Sequence, residues 1–320
     1  METILKIFLS QAVAASAAAL SFLPPAASAQ GGAPAPMYGN FDYGVCRGHD
    51  PSCFHNWNAT RQNKILVYTR TAGPRHANLG PALAAGLNPP LAAGNVVQNT
   101  MIQWGSELGL GVDYTEDVTQ LSHLNDYKAV LFISTSRDAL WNAAATTQND
   151  AGRTYLKQYI RSGGGFIAIH NAFGTEYGWP YYEGLLGNAN YYDHGKAQNG
   201  TVVLQSPDPI TAGLPHSFTL YGDEWYNLIP FPTNVKFLMT VDEKSLAGGT
   251  AGTPGGHPGH GAFHPVAWCQ YYDGGKVFAT TLGHDAKLFQ DGSGAPGQIQ
   301  FKQMIEHAIL SVTGAEPFCN

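Results

Sequence analysis

The stretch Ser162-Gly-Gly-Gly-Phe-Ile-Ala-Ile-His170 decides the fold, because a helix ends and a strand begins within it. Before it, residues 150–161 are predicted as a helix that stops at the glycine run, since glycine commonly ends helices. The apolar run Phe166–His170 follows at once and is predicted as a strand. A helix that leads directly into a buried strand is typical of a parallel sheet.

The sequence before this stretch repeats the alternation of strand and helix. Short apolar runs predict strands over Lys64–Tyr68, Gly111–Thr115 and Ala129–Ser134, and helical spacing predicts a helix over Asn95–Leu108. Such alternation implies right-handed crossovers between parallel strands. We therefore predict an α/β fold of the flavodoxin-like type, with an open, mostly parallel sheet and helices on both faces.

The pattern changes after about residue 200, where strand-like runs follow one another without intervening helices. These runs cover residues 201–204, 218–220, 235–241, 265–272 and 276–282. We predict that they are extra β-strands that extend or flank the same sheet in the C-terminal half. A final helix is predicted over Gly297–Val312, which carries apolar residues at helical spacing.

Composition limits the classes of function. The chain has 320 residues, of which 44% are hydrophobic and only 12% charged, enough for a large core. The formal net charge is -6 and no basic patch stands out, which argues against a nucleic-acid partner. The number of subunits is left open.

The first 29 residues resemble a secretory signal peptide. Lys6 precedes an apolar, alanine-rich stretch that ends in the small-residue pattern Ala27-Ser28-Ala29. A short membrane anchor is the alternative, but no later stretch is apolar enough to span a bilayer. We predict a signal peptide over 1–29, an ordered N-terminal arm over 30–63 and one domain over 64–320. The protein is then secreted, or periplasmic if bacterial, with no membrane attachment after cleavage.

The chain contains four cysteines, Cys46, Cys53, Cys269 and Cys319, which fit an exported protein with disulfides. Three pairings are open: the short loop between the first two can close on itself, or either can bond to a C-terminal cysteine. A zinc knuckle is a weaker alternative, because the spacing is not that of a known zinc motif. Asn58-Ala-Thr60 and Asn199-Gly-Thr201 are sequons for N-glycosylation in a eukaryotic host.

Several polar residues, most of them histidines and carboxylates, lie at the ends of the predicted strands or in the loops just beyond them. They are Arg75 and His76, His170, Asp193 and His194, Asp223 and Glu224, His264, and His284 and Asp285. A single histidine of this kind is more often structural than functional. Five histidines after separate strands, however, are expected to meet at one edge of the sheet, where α/β folds bind ligands.

Six ordered motifs carry a resemblance to a known family from about Lys64 to the C-terminus. The motifs are Arg75-His76, Gly163-Gly-Gly-Phe-Ile-Ala-Ile-His170, Thr175-Glu-Tyr-Gly-Trp-Pro180, Asp223-Glu-Trp-Tyr226, His264-Pro-Val-Ala-Trp268 and Leu282-Gly-His284. Together they resemble the ThuA-like (trehalose utilisation) domain family. The arm before Asn63 and the segments 80–94 and 248–260 depart from the family pattern.

The resemblance implies a fold similar to that of class I glutamine amidotransferases. Their nucleophilic cysteine lies in the turn after a strand like the one at 165–170, and here that position is His170. Without a thiolate, amide hydrolysis through a thioester is not expected. The resemblance also implies a carbohydrate context, with oxidised sugars such as 3-keto disaccharides as substrates.

Acid–base chemistry is then the expected mechanism, by hydrolysis or by β-elimination. His170 and His284 are the acid and base candidates, and Glu224 and His76 complete the predicted catalytic set. Arg75 is expected to hold an anionic or carbonyl group, with Asp223 and His264 as further substrate-binding residues. Trp179, Tyr181, Trp225 and Tyr226 are candidates for stacking on sugar rings, although core packing explains these aromatics equally well.

A divalent metal is the second hypothesis for the same residues. Neutral imidazoles and a carboxylate are ligands for zinc, manganese or iron, and the candidate set is His76, His170, His194, Glu224 and His284. No HExxH-type spacing supports a metal, and no other cofactor is indicated. The alternative to an enzyme is a non-catalytic carbohydrate-binding protein that keeps the fold and its aromatic cleft.

Overall fold

The structure, a computed structural model, describes residues 41–320 except positions 43, 59 and 254. The predicted signal peptide and the first part of the predicted arm lie outside these residues. The helices are α1 (Val96–Glu107), α2 (Ala151–Arg161), α3 (Pro180–Leu185) and α4 (Gln298–Thr313). The strands are β1 (Phe41–Asp42), β2 (Val45–Gly48), β3 (Gln62–Tyr68), β4 (Gly111–Thr115), β5 (Tyr127–Ile133), β6 (Gly165–Ile169), β7 (Tyr191–His194), β8 (Gln198–Leu204), β9 (Ser217–Asp223), β10 (Tyr226–Leu228), β11 (Lys236–Asp242), β12 (His264–Tyr272) and β13 (Gly275–Thr280).

Five strands form the parallel half of the main sheet, in the order β4-β3-β5-β6-β13. Each neighbouring pair in this half is parallel. β6, the strand that follows the glycine run, lies between β5 and β13 and is buried along its whole length. The predicted parallel sheet is therefore confirmed.

The sheet continues from β13 through the antiparallel strands β12, β11, β8 and β9. These are the C-terminal runs that the sequence predicts as extra strands, and the prediction is confirmed. The lack of intervening helices explains the change in direction, because antiparallel neighbours need only short connections. β9 ends at Asp223, so the chain returns to the carboxyl edge of the parallel strands at Glu224.

Alternate side chains of β3 enter two different cores. Ile65 and Val67 pack in a core that includes residues of α1 and α4, whereas Leu66 and Tyr68 pack in one that includes residues of α2 and α3. Successive side chains of a strand point to opposite faces of its sheet. Helices therefore cover both faces, as predicted.

The glycine run between α2 and β6 is required by close packing. Gly163 has a φ of 94°, and a Cβ there would lie 1.7 Å from the carbonyl oxygen of His55. A Cβ on Gly164 would lie 2.4 Å from the ring of Tyr159. Glycine avoids both clashes, so the chain turns from α2 into β6 within three residues.

The predicted arm over residues 30–63 is more regular than its composition suggests. β2 lies within it and pairs antiparallel with the end of β12, and β3 already begins at Gln62. The sequence pattern also fails to indicate α3, β7 and β10, of which β7 and β10 form a separate two-stranded sheet. These elements are too short to show a periodicity, and contacts distant in sequence stabilise them.

Two disulfides connect the four cysteines. Cys46 bonds to Cys53 and Cys269 bonds to Cys319, so the short loop closes on itself and the C-terminus is tied to β12. Paired cysteines fit an oxidising environment. Among the described residues, no helix is long and apolar enough to cross a membrane.

Candidate active site

His170 follows β6 directly and turns the chain sharply at the end of this central strand. Its φ of 55° lies in the left-handed region, which is uncommon for a residue with a Cβ. The imidazole is fully buried. Its Nδ1 donates a hydrogen bond to the carbonyl oxygen of Thr281 at 2.9 Å, so Nε2 carries the lone pair and lies 3.0 Å from the Tyr226 hydroxyl.

Glu224 lies at the centre of a histidine cluster. Its Oε2 is 3.3 Å from Nδ1 of His284, 3.5 Å from Nε2 of His170 and 3.6 Å from Nε2 of His76. These residues follow β9, β13, β6 and β3, so the topology brings four separate strand ends together. One carboxylate oxygen thus faces three imidazole nitrogens.

These distances suit a metal ion. The ligand atoms of His76, His170, Glu224 and His284 all lie within 4.8 Å of one another. In a tetrahedral site with bonds of about 2.0–2.2 Å, neighbouring ligand atoms are about 3.3–3.6 Å apart. The three contacts of Glu224 Oε2, and the 3.4 Å between the facing nitrogens of His170 and His284, fall in this range. The bond from His170 Nδ1 to a carbonyl is a common way of orienting a metal-binding imidazole.

Asp223 positions two members of the cluster through their backbones. It is fully buried, and its carboxylate accepts hydrogen bonds from the backbone N–H groups of Glu224, Gly283 and His284 at 2.9, 2.8 and 3.3 Å. Burial raises the pKa of Asp223 to about 7, although these hydrogen bonds oppose the shift. The residue therefore joins the end of β9 to the loop after β13.

Burial and mutual contact shift the pKa values within the cluster. Burial lowers the pKa of His170 to about 4, with the Glu224 carboxylate opposing the shift. Burial works to raise the pKa of Glu224, but its close contacts with the His170, His284 and His76 side chains outweigh it, and the pKa falls well below its ordinary range. A neutral imidazole beside an ionised carboxylate is the state in which both groups can ligate a metal.

Two members of the cluster, His76 and Glu224, line an open cleft of about 240 Å³. The lining residues are Pro74, His76, Ser136, Arg137, Asn171, Gly174, Tyr177, Tyr191, His194, Glu224 and Tyr226. His194 lies outside the set of four, with its Nε2 3.5 Å from the other oxygen of Glu224. Its Nδ1 donates a hydrogen bond to the carbonyl of Gly195 at 2.6 Å, so its Nε2, which faces Glu224, carries the lone pair.

Comparison with known protein families identifies the family of this chain. A family model described as "Trehalose utilisation" (ThuA) matches residues 64–309, which is well over half of the chain. The chain belongs to the ThuA family. The matched range contains His76, His170, Glu224 and His284, the four residues of the cluster. No curated protein matches the chain.

Solved structures show the ThuA-like fold. A putative ThuA-like protein from Bacteroides uniformis ATCC 8492 is 18% identical, with a TM-score of 0.54 over 79% of this chain and 93% of that chain. One from Parabacteroides merdae ATCC 43184 is 16% identical, with a TM-score of 0.54 over 80% of this chain and 91% of that chain. A glutamine amidotransferase from Thermotoga maritima also aligns, at 10% identity and a TM-score of 0.43 over 79% and 99% of the two chains.

Arg75 of this ThuA-family chain lies outside the cleft and is engaged in structural contacts. Its guanidinium donates to the carbonyl oxygens of Gly80 and Pro81 at 2.7 and 2.9 Å and pairs with Glu116 at 2.8 Å. It therefore supports the loop after β3 through its Nε and Nη2 groups. Arg75 is not among the residues that line the cleft.

Most of the other predicted substrate-binding residues also lie outside the cleft lining. Trp225 is buried in the core and its Nε1 donates to the carbonyl of Gln198, while Trp179 packs against Tyr181 and Arg153. His264 is buried, with its nitrogens facing Glu243 at 2.7 Å and the Tyr226 carbonyl at 2.9 Å. Asp223 contacts backbone groups, as described above. Only Tyr226 of this predicted set lines the cleft.

The sequence analysis misses seven of the cleft-lining residues, among them Arg137, Asn171, Tyr177 and Tyr191. Two of them carried a usable signal. Arg137 follows the end of β5 by four residues, and Tyr177 lies within the Thr175–Pro180 motif. Asn171 and Tyr191 reach the cleft through tertiary structure that local sequence patterns do not reveal.

Proposed function

We propose that this protein is an exported enzyme that eliminates a leaving group from an oxidised sugar, such as a 3-keto disaccharide, at a divalent metal ion. The observation that carries the proposal is the convergence of His76, His170 and His284 on one oxygen of Glu224, beside an open cleft that His76 and Glu224 line. The family description as trehalose utilisation supports a sugar substrate. The two disulfides support export.

The four cluster residues would hold the metal. When bound, a divalent metal supplies Lewis acidity that polarises a carbonyl oxygen and acidifies the neighbouring C–H bond. His170 and His284 then serve as ligands in this proposal and not as the acid–base pair, because their cluster-facing nitrogens both point at Glu224 Oε2. Asp223 keeps the backbone of Glu224 and His284 in place.

His194 is the proposed base. It lines the cleft, its side chain is 27% exposed, and its Nε2 carries the lone pair. In a 3-keto glycoside, His194 takes the proton from C2, the electrons of that C–H bond form the C1=C2 double bond, and the C1–O bond to the leaving sugar breaks. The leaving oxygen takes up one proton from His194 or from solvent, so no oxidant or reductant is consumed.

The size of the cleft limits the substrate. Sites for drug-sized ligands usually occupy roughly 300–1,000 Å³. The cleft is smaller, at about 240 Å³, so a single sugar ring is expected to enter it while the leaving group stays outside. Phenol rings of Tyr177, Tyr191 and Tyr226 line the walls and offer both apolar surface and hydroxyl groups.

Turnover of a 3-keto derivative of trehalose tests this proposal. The mature protein is assayed after loading with zinc, manganese or iron, and the control is the same protein after chelation. We expect a metal-dependent product with a conjugated double bond that absorbs in the ultraviolet. A saturated product with a new reducing end would mean hydrolysis, and saturable binding without any product would favour a carbohydrate-binding protein. Either result would contradict the elimination.

A further inference from the structure

Arg137 has an unusual backbone at the rim of the cleft. Its φ of 55° is left-handed, a strained conformation for a long side chain. Two hydrogen bonds hold it there: its N–H donates to the carbonyl of Gly174 at 2.8 Å, and its carbonyl accepts from the N–H of Glu176 at 2.9 Å. The loop after β5 and the loop after β6 are thus joined at this residue.

Buried side chains fix the same two loops to each other. Glu176 is buried, its Oε1 accepts from the N–H of Leu140 at 2.7 Å, and its Oε2 pairs with Nε of Arg153 at 2.7 Å. The hydroxyl oxygens of Thr135 and Thr175 lie 2.8 Å apart. The position of the Arg137 backbone is therefore determined by a rigid wall and not by a free loop.

The Arg137 side chain lies over an aromatic ring, and no ion pair with another described residue neutralises its positive charge. Its guanidinium lies 5.2 Å from the centre of the Tyr177 ring, and the Tyr177 hydroxyl donates to the carbonyl of Tyr191 at 3.0 Å. Within the described part of the chain, no carboxylate lies within ion-pair distance of Arg137. Among the residues that line the cleft, Arg137 is the one permanent cation.

We propose that Arg137 recognises a carboxylate on the sugar, so that the cleft prefers an acidic sugar to a neutral one. This rests on the proposed function only in taking the ligand to be a sugar. A guanidinium pairs with a carboxylate through two parallel hydrogen bonds, and the Tyr177 ring beside it limits the positions that the Arg137 side chain can take. The role that the sequence suggests for Arg75 is thereby assigned to Arg137, because Arg137 lines the cleft whereas Arg75 is engaged with Glu116 and with backbone carbonyls of its own loop.

Calorimetric binding tests the assignment without requiring turnover. The ligands are D-glucuronate, D-gluconate and neutral methyl D-glucoside, added to the mature protein as isolated and again after chelation. We expect at least one acid to bind about tenfold to hundredfold more tightly than the glucoside, as a charge-assisted pair allows. Tighter binding of glucuronate would identify a uronic acid, and tighter binding of gluconate an aldonic acid.

The variants are Arg137→Gln, Arg137→Lys and, as a control, Lys157→Gln, which removes one positive charge from α2 outside the cleft. The preference should vanish in R137Q, return in part in R137K, and persist in K157Q. Equal binding of all three ligands, an unchanged preference in R137Q, or a preference lost on chelation would overturn the assignment. A preference for the acid in a protein that turns over no 3-keto sugar would support this inference while contradicting the proposed function.

Discussion

Replacing Glu224 by Gln should abolish tight metal binding and lower turnover by more than about a thousandfold. Oε2 of Glu224 lies 3.3–3.6 Å from three imidazole nitrogens, so it is the one oxygen shared by the whole cluster. A glutamine has similar shape but no charge with which to complete the site. Loss of several kcal/mol of Lewis-acid stabilisation corresponds to about three powers of ten or more in rate.

The same substitution should be visible without a substrate. Metal bound to the folded state raises the melting temperature by mass action, so zinc should stabilise the wild type and have little effect on E224Q. We expect metal affinity to fall by more than the roughly 10–100-fold that substitution of a group outside the ligand set produces. Glu306→Gln, the same chemical change on α4, is the matched control. A wild-type zinc response in E224Q would mean that the cluster is not the metal site.

Removing the disulfide between Cys269 and Cys319 should cause the largest loss of stability among changes remote from the cleft. The bond closes a loop of 50 residues, for which the chain-entropy estimate is about 4 kcal/mol in the free energy of unfolding. Both cysteines are buried in the core, where the disulfide joins the C-terminal segment to β12. The double variant C269A/C319A should therefore unfold at a much lower denaturant concentration.

The Cys46–Cys53 disulfide is the internal comparison for that experiment. It closes a loop of only seven residues, so the same estimate gives about 2.5 kcal/mol. The variant C46A/C53A should accordingly lose less stability than C269A/C319A in parallel denaturation curves. Equal losses of stability, or a larger loss for the short loop, would contradict this prediction. Strain or local packing, and not loop length, would then control how much each disulfide contributes to stability.

The fold could be predicted because each buried strand is a continuous apolar run next to a helix or a glycine turn. Phe166–Ile169 is the clearest case, since both of its faces are covered and every residue is apolar. β2 and β7 could not be predicted, because each has four residues and is defined by a partner distant in sequence. Hydrophobic periodicity in the sequence detects elements that are long enough to show a repeat. Shorter strands are defined by their pairing with other strands, which the sequence pattern does not show.

The site could be predicted in part for a similar reason. His76, His170, Glu224 and His284 follow strand ends, and parallel strands bring those ends to one edge of the sheet. The individual roles required coordinates. Arg75 follows a strand end just as His76 does, yet its side chain turns to Glu116, and Trp225 enters the core although its neighbours Glu224 and Tyr226 line the cleft. Residue type and sequence position indicate which residues lie near the site. The direction of each side chain determines which of them line the cleft or join the cluster.

Anomalous diffraction from crystals of the zinc- or manganese-loaded protein tests the central claim most directly. We predict one strong anomalous peak per chain, within bonding distance of Glu224 Oε2 and of nitrogens from His76, His170 and His284. The peak should be missing from E224Q crystals treated in the same way. A fully loaded crystal with no peak among these four side chains, or with its strongest peak at other residues, would contradict the assignment of this cluster as a metal site.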